Sequence, residues 1–279
     1  MESFKVTAED ILTFEQDGAV CLRNVFSPEW VRKVESGIAK NLKHPSGYSE
    51  FLKDSSTSPI VIYNEGIYFN DYFNWKNIPE FQDYVYHSPA ADVVQQLLKT
   101  ATVTFYHEHV LIKEQGAAKE TPWHHDQSYY PFDGEQACSI WMPVDPVALP
   151  TTLQFIRGSH KWGWFYPRKF ATTLNYSLTS TVLDHEYRDV PDIANIPESE
   201  ILQWTLQPGD CIVFHMKTLH GAKGNMTANN RRILSTRWFG DDVRMAQRPW
   251  VPSPPVTGKL KVGDPPNTDP DLFPVVKPI

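Results

Sequence analysis

The sequence predicts a mainly β fold with flanking helices, and three observations support this prediction. Beyond residue 101, short stretches alternate between apolar and polar residues, as half-buried strands do. Turn-forming Gly, Pro and Asp residues separate these stretches. Before residue 101, the capping residues and the apolar spacing are helical. Short strands at such intervals are typical of an antiparallel sandwich or a jelly roll with helices packed outside one sheet.

Two helices are predicted near the start of the chain. Thr7 and Asp10 form an N-cap pattern, and Gly18 suits the left-handed position that ends a helix. Ser27 provides a second N-cap and is followed by a proline at the first helical position. We expect a short strand over residues 19–26, between the two helices.

A less regular segment and a third helix come next. Residues 45–82 are rich in Ser, Pro, Asn and aromatic residues without a clear period, so we expect irregular structure. Ser88 and Pro89 begin the third helix, whose apolar stripe includes Val93 and Leu97.

Six later stretches alternate well enough to be strands. They are residues 101–113, 138–144, 152–158, 201–207, 211–216 and 232–239. Residues 160–200 interrupt them with aromatic and charged residues, and an insertion of this kind is more often a lid than filler. The tail, residues 241–279, carries nine prolines and is expected to lack regular structure. It either wraps the domain, with Trp250 and Phe273 as anchors, or is partly disordered.

Length and composition fit one domain and exclude several classes of protein. The chain has 279 residues, of which 41% are hydrophobic, enough for one sizeable core. We predict a single domain over residues 1–240, with a helical entry (1–100), a jelly-roll core (101–240) and the separate tail. The net charge of −7 and the absence of a basic stripe argue against nucleic-acid binding.

The sequence also predicts the compartment. No apolar run is long enough for a membrane span, and the first residues lack a signal-peptide pattern. The three cysteines are scattered and form no CxxC motif, as in reduced proteins. We therefore expect a cytoplasmic protein without a membrane partner.

A candidate metal site lies in the segment TPWHHDQSYYPF. In a strand, residues two apart point to the same face, so His124 and Asp126 would project together and His125 would point away. His220, after a later apolar strand, can supply a third ligand. Two histidines and one carboxylate form the facial triad of non-haem Fe(II) oxygenases, which leaves coordination positions open. Arg231 follows His220 by eleven residues, and its guanidinium suits an anionic cosubstrate.

Together these motifs resemble the phytanoyl-CoA dioxygenase family of Fe(II)/2-oxoglutarate-dependent oxygenases. The matching segments, in the family's order, are LIKEQG, TPWHHDQSYYPF, SIWMPVD, IRGSHKWG, PGDCIVFH, LHGAKGN and RRILSTRWF. The entry segment EQDGAVCLRNVFSPEWV is similar as well, so only the proline-rich tail lies outside the resemblance. The resemblance implies a double-stranded β-helix, which is a cupin-like jelly roll.

The resemblance also implies roles for individual residues. His124, Asp126 and His220 would bind iron, and Arg231 would hold the far carboxylate of 2-oxoglutarate. Arg232 competes for the last role, but only one of two consecutive strand residues faces inward, and the spacing favours Arg231.

Two further residues are assigned to the cosubstrate site. Lys113 would contact 2-oxoglutarate or substrate unless it is a solvated strand end, and Trp141 would line the cofactor cavity. Related halogenases have a small residue at the carboxylate position, so Asp126 favours oxygen insertion over chlorination. The chain departs from the family near Arg157, where an Asn-Gly turn and a proline are missing. This departure bears on the shape of the substrate entrance and not on the iron site.

Several residues are candidates for contact with the substrate: His125, Tyr129, Trp162 and Arg168. His125 would line the pocket rim or support the ligands, and the aromatic residues would enclose substrate or simply pack. Arg168, with its neighbour Lys169, favours an anionic or aromatic small molecule. The remaining strand histidines, His107, His109 and His215, are interpreted as structural or as supporting residues.

We therefore predict an Fe(II)- and 2-oxoglutarate-dependent dioxygenase that hydroxylates or otherwise oxidises an unactivated C–H of a small-molecule metabolite. 2-Oxoglutarate would be decarboxylated to succinate and CO2 with O2 as oxidant, and ascorbate would support activity. Two alternatives remain open: a non-catalytic protein that binds metal and 2-oxoglutarate, and a zinc-dependent hydrolase. Monomer and homodimer are both open.

Overall fold

The helices lie in the amino-terminal part of the chain. A computed structural model describes residues 4–52 and 66–278. Its helices are α1 (Ala8–Asp17), α2 (Pro28–Lys43), α3 (Pro79–His87) and α4 (Ala90–Leu98). In α1 the side chains of Thr7 and Asp10 each accept a hydrogen bond from the other's backbone N–H, as predicted. Helix α3 was not predicted, although Pro79 at its first position is a typical helix start.

Most of the remaining elements are short strands. Within the described residues they are β1 (Ala19–Leu22), β2 (Glu50–Leu52), β3 (Tyr68–Tyr72), β4 (Val103–Lys113), β5 (Thr121–His124), β6 (Phe132–Asp133), β7 (Ala137–Pro143), β8 (Leu153–Ile156), β9 (Trp164–Phe165), β10 (Tyr187–Arg188), β11 (Ile201–Leu202), β12 (Cys211–His215), β13 (His220–Ala222), β14 (Arg231–Phe239), β15 (Arg244–Met245) and β16 (Val275–Lys277).

Three predicted segments differ from the structure. The strand predicted over residues 19–26 ends at Leu22, and the one predicted over 201–207 is only two residues long. Strands β2 and β3 lie in residues 45–82, which were predicted to be irregular, and residues 53–65 of that stretch lie outside the described residues. Strand β3 shows why the prediction failed. Its residues show no alternation because four of the five are buried, and pairing with β4 determines the conformation.

Two antiparallel sheets build the body of the fold. The larger one has the strand order β1-β12-β7-β14-β4-β3-β2, with β16 also paired to β4, and the smaller one has the order β11-β8-β13-β5. Trp141, Phe155 and Phe214 belong to an apolar core shared by the two sheets. The helices cover the other face of the larger sheet, where Val34 and Trp238 lie in one cluster. The predicted jelly-roll fold with flanking helices is confirmed.

The proline-rich tail packs on this body and is more regular than predicted. It contributes β15, which pairs with β6, and β16, which pairs with β4. Both expected anchors are buried, with exposures of 2% for Trp250 and 0% for Phe273. No helix in the described part of the chain has the length and apolar character needed to span a membrane.

Candidate metal centre

Two neighbouring strands bring the three predicted metal ligands together. His124 is the last residue of β5, His220 is the first residue of β13, and the two are direct cross-strand partners. Asp126 lies beyond the end of β5, with helical backbone angles (φ −66°, ψ −39°). His124 and Asp126 do project together, as expected, but they do not do so from one face of a strand, so the stated reason was wrong. The chain turns after His124, and this turn directs the carboxylate towards the two imidazoles.

The three side chains form a compact, buried set. One ligand atom from each lies within 4.8 Å of the others. His124 Nε2 is 3.5 Å and His220 Nε2 is 3.7 Å from Asp126 Oδ1. Each histidine donates its Nδ1–H to a backbone carbonyl, that of Pro122 at 2.7 Å and that of Thr218 at 2.9 Å. These bonds fix the tautomers, so that both Nε2 atoms are free to bind a metal ion.

The charge state of the set also suits a cation. Burial, followed by the neighbouring His124, lowers the pKa of His220 to about 3, so its imidazole is neutral. Burial alone would raise the pKa of Asp126, but the charge of Arg237 and the two histidines hold it well below its usual value. An ionised Asp126 and a neutral His220 are in the protonation states that metal binding requires of these two residues.

Two residues that sequence reasoning missed hold Asp126 in place. Ser139 Oγ donates a hydrogen bond to Asp126 Oδ2 at 2.7 Å, and Arg237 Nη2 lies 3.3 Å from the same oxygen. The other oxygen, Oδ1, is the one directed towards the histidines. Strand alternation could have found both residues, because Ser139 shares a strand face with Trp141 and Arg237 shares one with Arg231.

A cavity of about 330 Å³ opens beside the ligands. His124, Asp126 and His220 line it, together with Arg231 and Trp141. The structure thus brings one predicted cosubstrate residue from each of two adjacent strands, β14 and β7, into the cavity that holds the metal ligands.

Among the residues that the structure describes, Arg231 is a buried cation without a carboxylate partner. Its exposure is 2%, and burial lowers the pKa of its guanidinium to about 10. Within residues 4–52 and 66–278, its only hydrogen bond goes to the carbonyl of Thr151, and Nε has no partner. Trp141 Nε1 and Ser235 Oγ, in the same cavity, are also unpartnered there. A carboxylate would satisfy the free donors of Arg231, so this residue fits one end of 2-oxoglutarate.

Arg232 and Lys113 face other surroundings. Arg232 lies outside the cavity lining and forms ion pairs with Asp145 at 2.6 Å and Glu35 at 2.8 Å. Lys113 is the cross-strand partner of Arg231 and is fully buried, but its Nζ donates to the carbonyl of Lys223 at 3.0 Å. Lys113 therefore lies behind the cavity wall, and burial followed by the charge of Arg231 lowers its pKa well below the usual value.

Of the predicted substrate residues, only Tyr129 lines the cavity. Residues 125–131, between β5 and β6, are called the metal loop. His125 is buried in this loop, where it contacts Ser128 Oγ and the carbonyl of Lys217. Trp162 is 38% exposed and borders a separate surface depression, because the insertion turns its indole outwards. Arg168 donates to the carbonyl of Val190 and is absent from the lining. The rim role of His125 and the substrate roles of Trp162 and Arg168 are therefore corrected.

Two histidines that were interpreted as structural do line the cavity. His107 and His109 point from β4 towards the metal side, whereas Lys169 and Phe170 reach the lining from the insertion. His215 is absent from the metal set, as expected, and its Nε2 donates to the carbonyl of Glu135 at 2.8 Å.

Comparison with known proteins extends these observations. The family model described as phytanoyl-CoA dioxygenase (PhyH) matches residues 14–233. A probable phytanoyl-CoA dioxygenase of Caenorhabditis elegans is 22% identical over 251 residues, which is 85% of this chain and 77% of the relative.

Two solved structures share the fold over nearly the whole chain. The non-haem alpha-ketoglutarate-dependent carbocyclase SnoK from nogalamycin biosynthesis has a TM-score of 0.72 at 18% identity, covering 99% of both chains. The epimerase SnoN, in complex with Fe3+, alpha-ketoglutarate and nogalamycin RO, has a TM-score of 0.71 at 19% identity, covering 96% of this chain and 97% of SnoN. With a family model that matches most of its length, the chain belongs to the phytanoyl-CoA dioxygenase family of 2-oxoglutarate-dependent non-haem iron oxygenases, as its motifs predicted.

Proposed function

We propose that this protein uses Fe(II), 2-oxoglutarate and O2 to hydroxylate an unactivated C–H of a small-molecule metabolite. The observation that carries the proposal is the pairing of two features in one cavity. Three buried candidate ligands, His124, Asp126 and His220, lie on one side. The guanidinium of Arg231, which pairs with no carboxylate in the described part of the chain, lies in the same lining. A dicarboxylic keto acid such as 2-oxoglutarate could bind the metal ion with its keto-acid end and Arg231 with its far carboxylate.

The chain's own residues position the reactants. His124, Asp126 and His220 would hold Fe(II), which would supply O2 activation coupled to the decarboxylation of 2-oxoglutarate to succinate and CO2. Arg231 would bind the far carboxylate and orient the keto acid. Ascorbate would keep the iron reduced between turnovers.

Other lining residues restrict access to this centre. The ring of Phe170 packs edge-on against His124 at 4.9 Å between centroids, and Tyr129 packs against the same imidazole at 5.6 Å. These rings would exclude water from the reacting atoms. We propose an indirect role for Lys113, whose ammonium lies 4.5 Å from the Tyr68 ring and supports the wall behind Arg231.

The test measures binding and turnover separately. Under anaerobic conditions, Fe(II) and 2-oxoglutarate added to the purified protein should produce a visible charge-transfer band. In air with ascorbate, the protein should then release succinate from 2-oxoglutarate, faster with a substrate from a metabolite panel. The Asp126→Ala variant, checked for folding by circular dichroism, should lose both signals. A folded wild-type protein that binds iron but shows neither band nor succinate would contradict the proposal.

A further inference from the structure

The registers of β4 and β14 divide the cavity into two regions. Arg231 is opposite Lys113 at one end of the strand pair, and Ser235 is opposite His109 four residues further on. Four residues of antiparallel strand span about 13 Å, so the backbone of His109 is displaced by that length from the end of the strand pair where Arg231 lies. His107 is displaced two residues further in the same direction. The two histidines therefore line a part of the cavity that is displaced along β4 from Arg231.

His107 offers an unpaired hydrogen-bond acceptor to this region. Its Nδ1 lies 2.9 Å from the carbonyl oxygen of Glu108, which can only accept, so Nδ1 carries the proton. The residue is 1% exposed, and burial followed by the charge of Arg237 lowers its pKa to about 3, so the ring is neutral. Nε2 is then a buried acceptor, and within the described chain it has no partner.

His109 offers a second acceptor of the same kind. Asn70 donates its Nδ2–H to Glu50 Oε2 at 3.1 Å, which leaves Asn70 Oδ1 as the atom that contacts His109 Nε2. Since Oδ1 can only accept, the proton of His109 is on Nε2. Burial, followed by Arg237 and His107, holds the pKa of His109 well below its usual value. Its Nδ1 is thus an acceptor, on a side chain that is half-buried in the cavity lining.

The charges of the lining leave no buried cation for an anionic substrate. Arg237 is paired with Asp126, and Arg231 faces the cosubstrate region. The two other charged lining residues, Glu50 and Lys169, are of opposite sign and are exposed. A phosphate or carboxylate inside this region would also meet the lone pairs of two acceptor nitrogens.

The remaining walls are aromatic. Phe170, Tyr129, Tyr130 and Tyr176 line this part of the cavity. Aromatic walls favour a flat or cyclic ligand. The volume of about 330 Å³ must hold both cosubstrate and substrate, and it lies at the small end of the range for ligand pockets.

We propose that the substrate is an uncharged cyclic compound that bears hydroxyl groups, and that His107 and His109 accept hydrogen bonds from those hydroxyls. The proposal rests on the proposed function, because it assigns Arg231 to 2-oxoglutarate. It gives two histidines a role in substrate specificity.

Matched probes of one ring system test this proposal. Isothermal titration calorimetry would compare 2-naphthol, 2-methoxynaphthalene, 2-naphthoate and 2-naphthyl phosphate on anaerobic protein loaded with Fe(II) and 2-oxoglutarate. 2-Naphthol should bind roughly tenfold more tightly than 2-methoxynaphthalene, which has no donor hydrogen, because one hydrogen bond is lost. The two anions should bind more weakly still.

Variants of His107 and His109 test whether these two residues cause the preference for 2-naphthol. In the His107→Phe, His109→Phe double variant, 2-naphthol and 2-methoxynaphthalene should bind within about twofold of each other. The single variant His107→Gln, which keeps an acceptor oxygen, should retain more of the preference for 2-naphthol than His107→Phe does. The matched control is His87→Phe, an exposed histidine on α3, which should bind the probes like the wild type.

The outcomes separate this proposal from the proposed function. If the charge-transfer band is absent from the wild type, the proposed function fails. If the band is present but the anions bind as tightly as 2-naphthol, or no probe binds, the substrate proposal alone is overturned. It is also overturned if the double variant keeps the preference for the hydroxyl.

Discussion

The guanidinium of Arg237 and the carboxylate of Asp126 form a buried ion pair, with 3.3 Å between Nη2 and Oδ2 and side-chain exposures of 4% each. The pair lies directly behind the candidate metal site, on the side of Asp126 that does not face the histidines. Tyr130 supports it, because its hydroxyl oxygen accepts a hydrogen bond from Arg237 Nε at 3.0 Å. Arg237 thus keeps a metal ligand charged in a setting where burial alone would favour its neutral form.

Removing this arginine should weaken both folding and iron binding. In Arg237→Ala, the buried carboxylate loses its partner, and the free energy of unfolding of the metal-free protein should fall by about 3–5 kcal/mol. The pKa of Asp126 should rise, so that iron binding should be lost at a higher pH than in the wild type. Urea denaturation and anaerobic dialysis with iron analysis measure both effects. Arg244→Ala, at an exposed arginine, is the control, and equal behaviour of the two variants would refute the prediction.

The two consecutive arginines of β14 should behave differently. Arg231→Gln removes a charged donor from the cavity, so the dissociation constant of 2-oxoglutarate should rise roughly tenfold to a hundredfold. Arg232→Gln removes partly exposed ion pairs on the other face, so it should cost about 1 kcal/mol of stability or less and leave 2-oxoglutarate binding unchanged. Titration of the charge-transfer band measures the affinity. A larger loss of affinity in the Arg232 variant would reverse the assignment.

Acid should destabilise the metal-free protein through its buried histidines. Burial lowers the folded-state pKa of His107 and His125 to about 3, whereas unfolded histidine titrates near 6.5. The unfolded chain therefore binds more protons below about pH 6.5, and the stability present above that pH is lost progressively as pH falls towards 3. For each of these two histidines, the free energy of unfolding should fall by about 1 kcal/mol between pH 7 and pH 5.5. Urea denaturation at both pH values measures this loss. The free energy of unfolding should fall less between pH 7 and pH 5.5 in His107→Phe than in the wild type or in His87→Phe.

The tail should be part of the folded unit. Trp250 is 2% exposed, and its Nε1 donates to the carbonyl of Ser128 in the metal loop at 3.0 Å. Trp250→Ala should lower the free energy of unfolding by about 3–5 kcal/mol, as for other buried aromatic side chains. Val251→Ala, at an exposed neighbour, should change it by less than about 0.5 kcal/mol. Similar chemical-denaturation midpoints for the two variants would show that the tail is not anchored there.

Local patterns were informative wherever side-chain direction within one element decided the outcome. The caps of α1 and the alternation of β4 and β14 follow from short-range chemistry. The same alternation directs Arg231 inwards and Arg232 outwards, because neighbouring strand residues point to opposite faces. The His124, Asp126 and His220 set came from a motif, and its assumed strand geometry was wrong at Asp126.

Sequence by itself therefore determined the fold class and the family, and it predicted the metal ligands and the cosubstrate arginine. The tertiary structure decided which additional residues surround these ligands: Ser139 and Arg237 contact Asp126 from behind, and His107 and His109 line the same cavity, in the region proposed for substrate. It also placed Trp162 and Arg168 outside that cavity. The physical reason is that periodicity reports the direction of a side chain relative to its own strand. Long-range pairing between sheets, insertion and tail determines what that side chain meets.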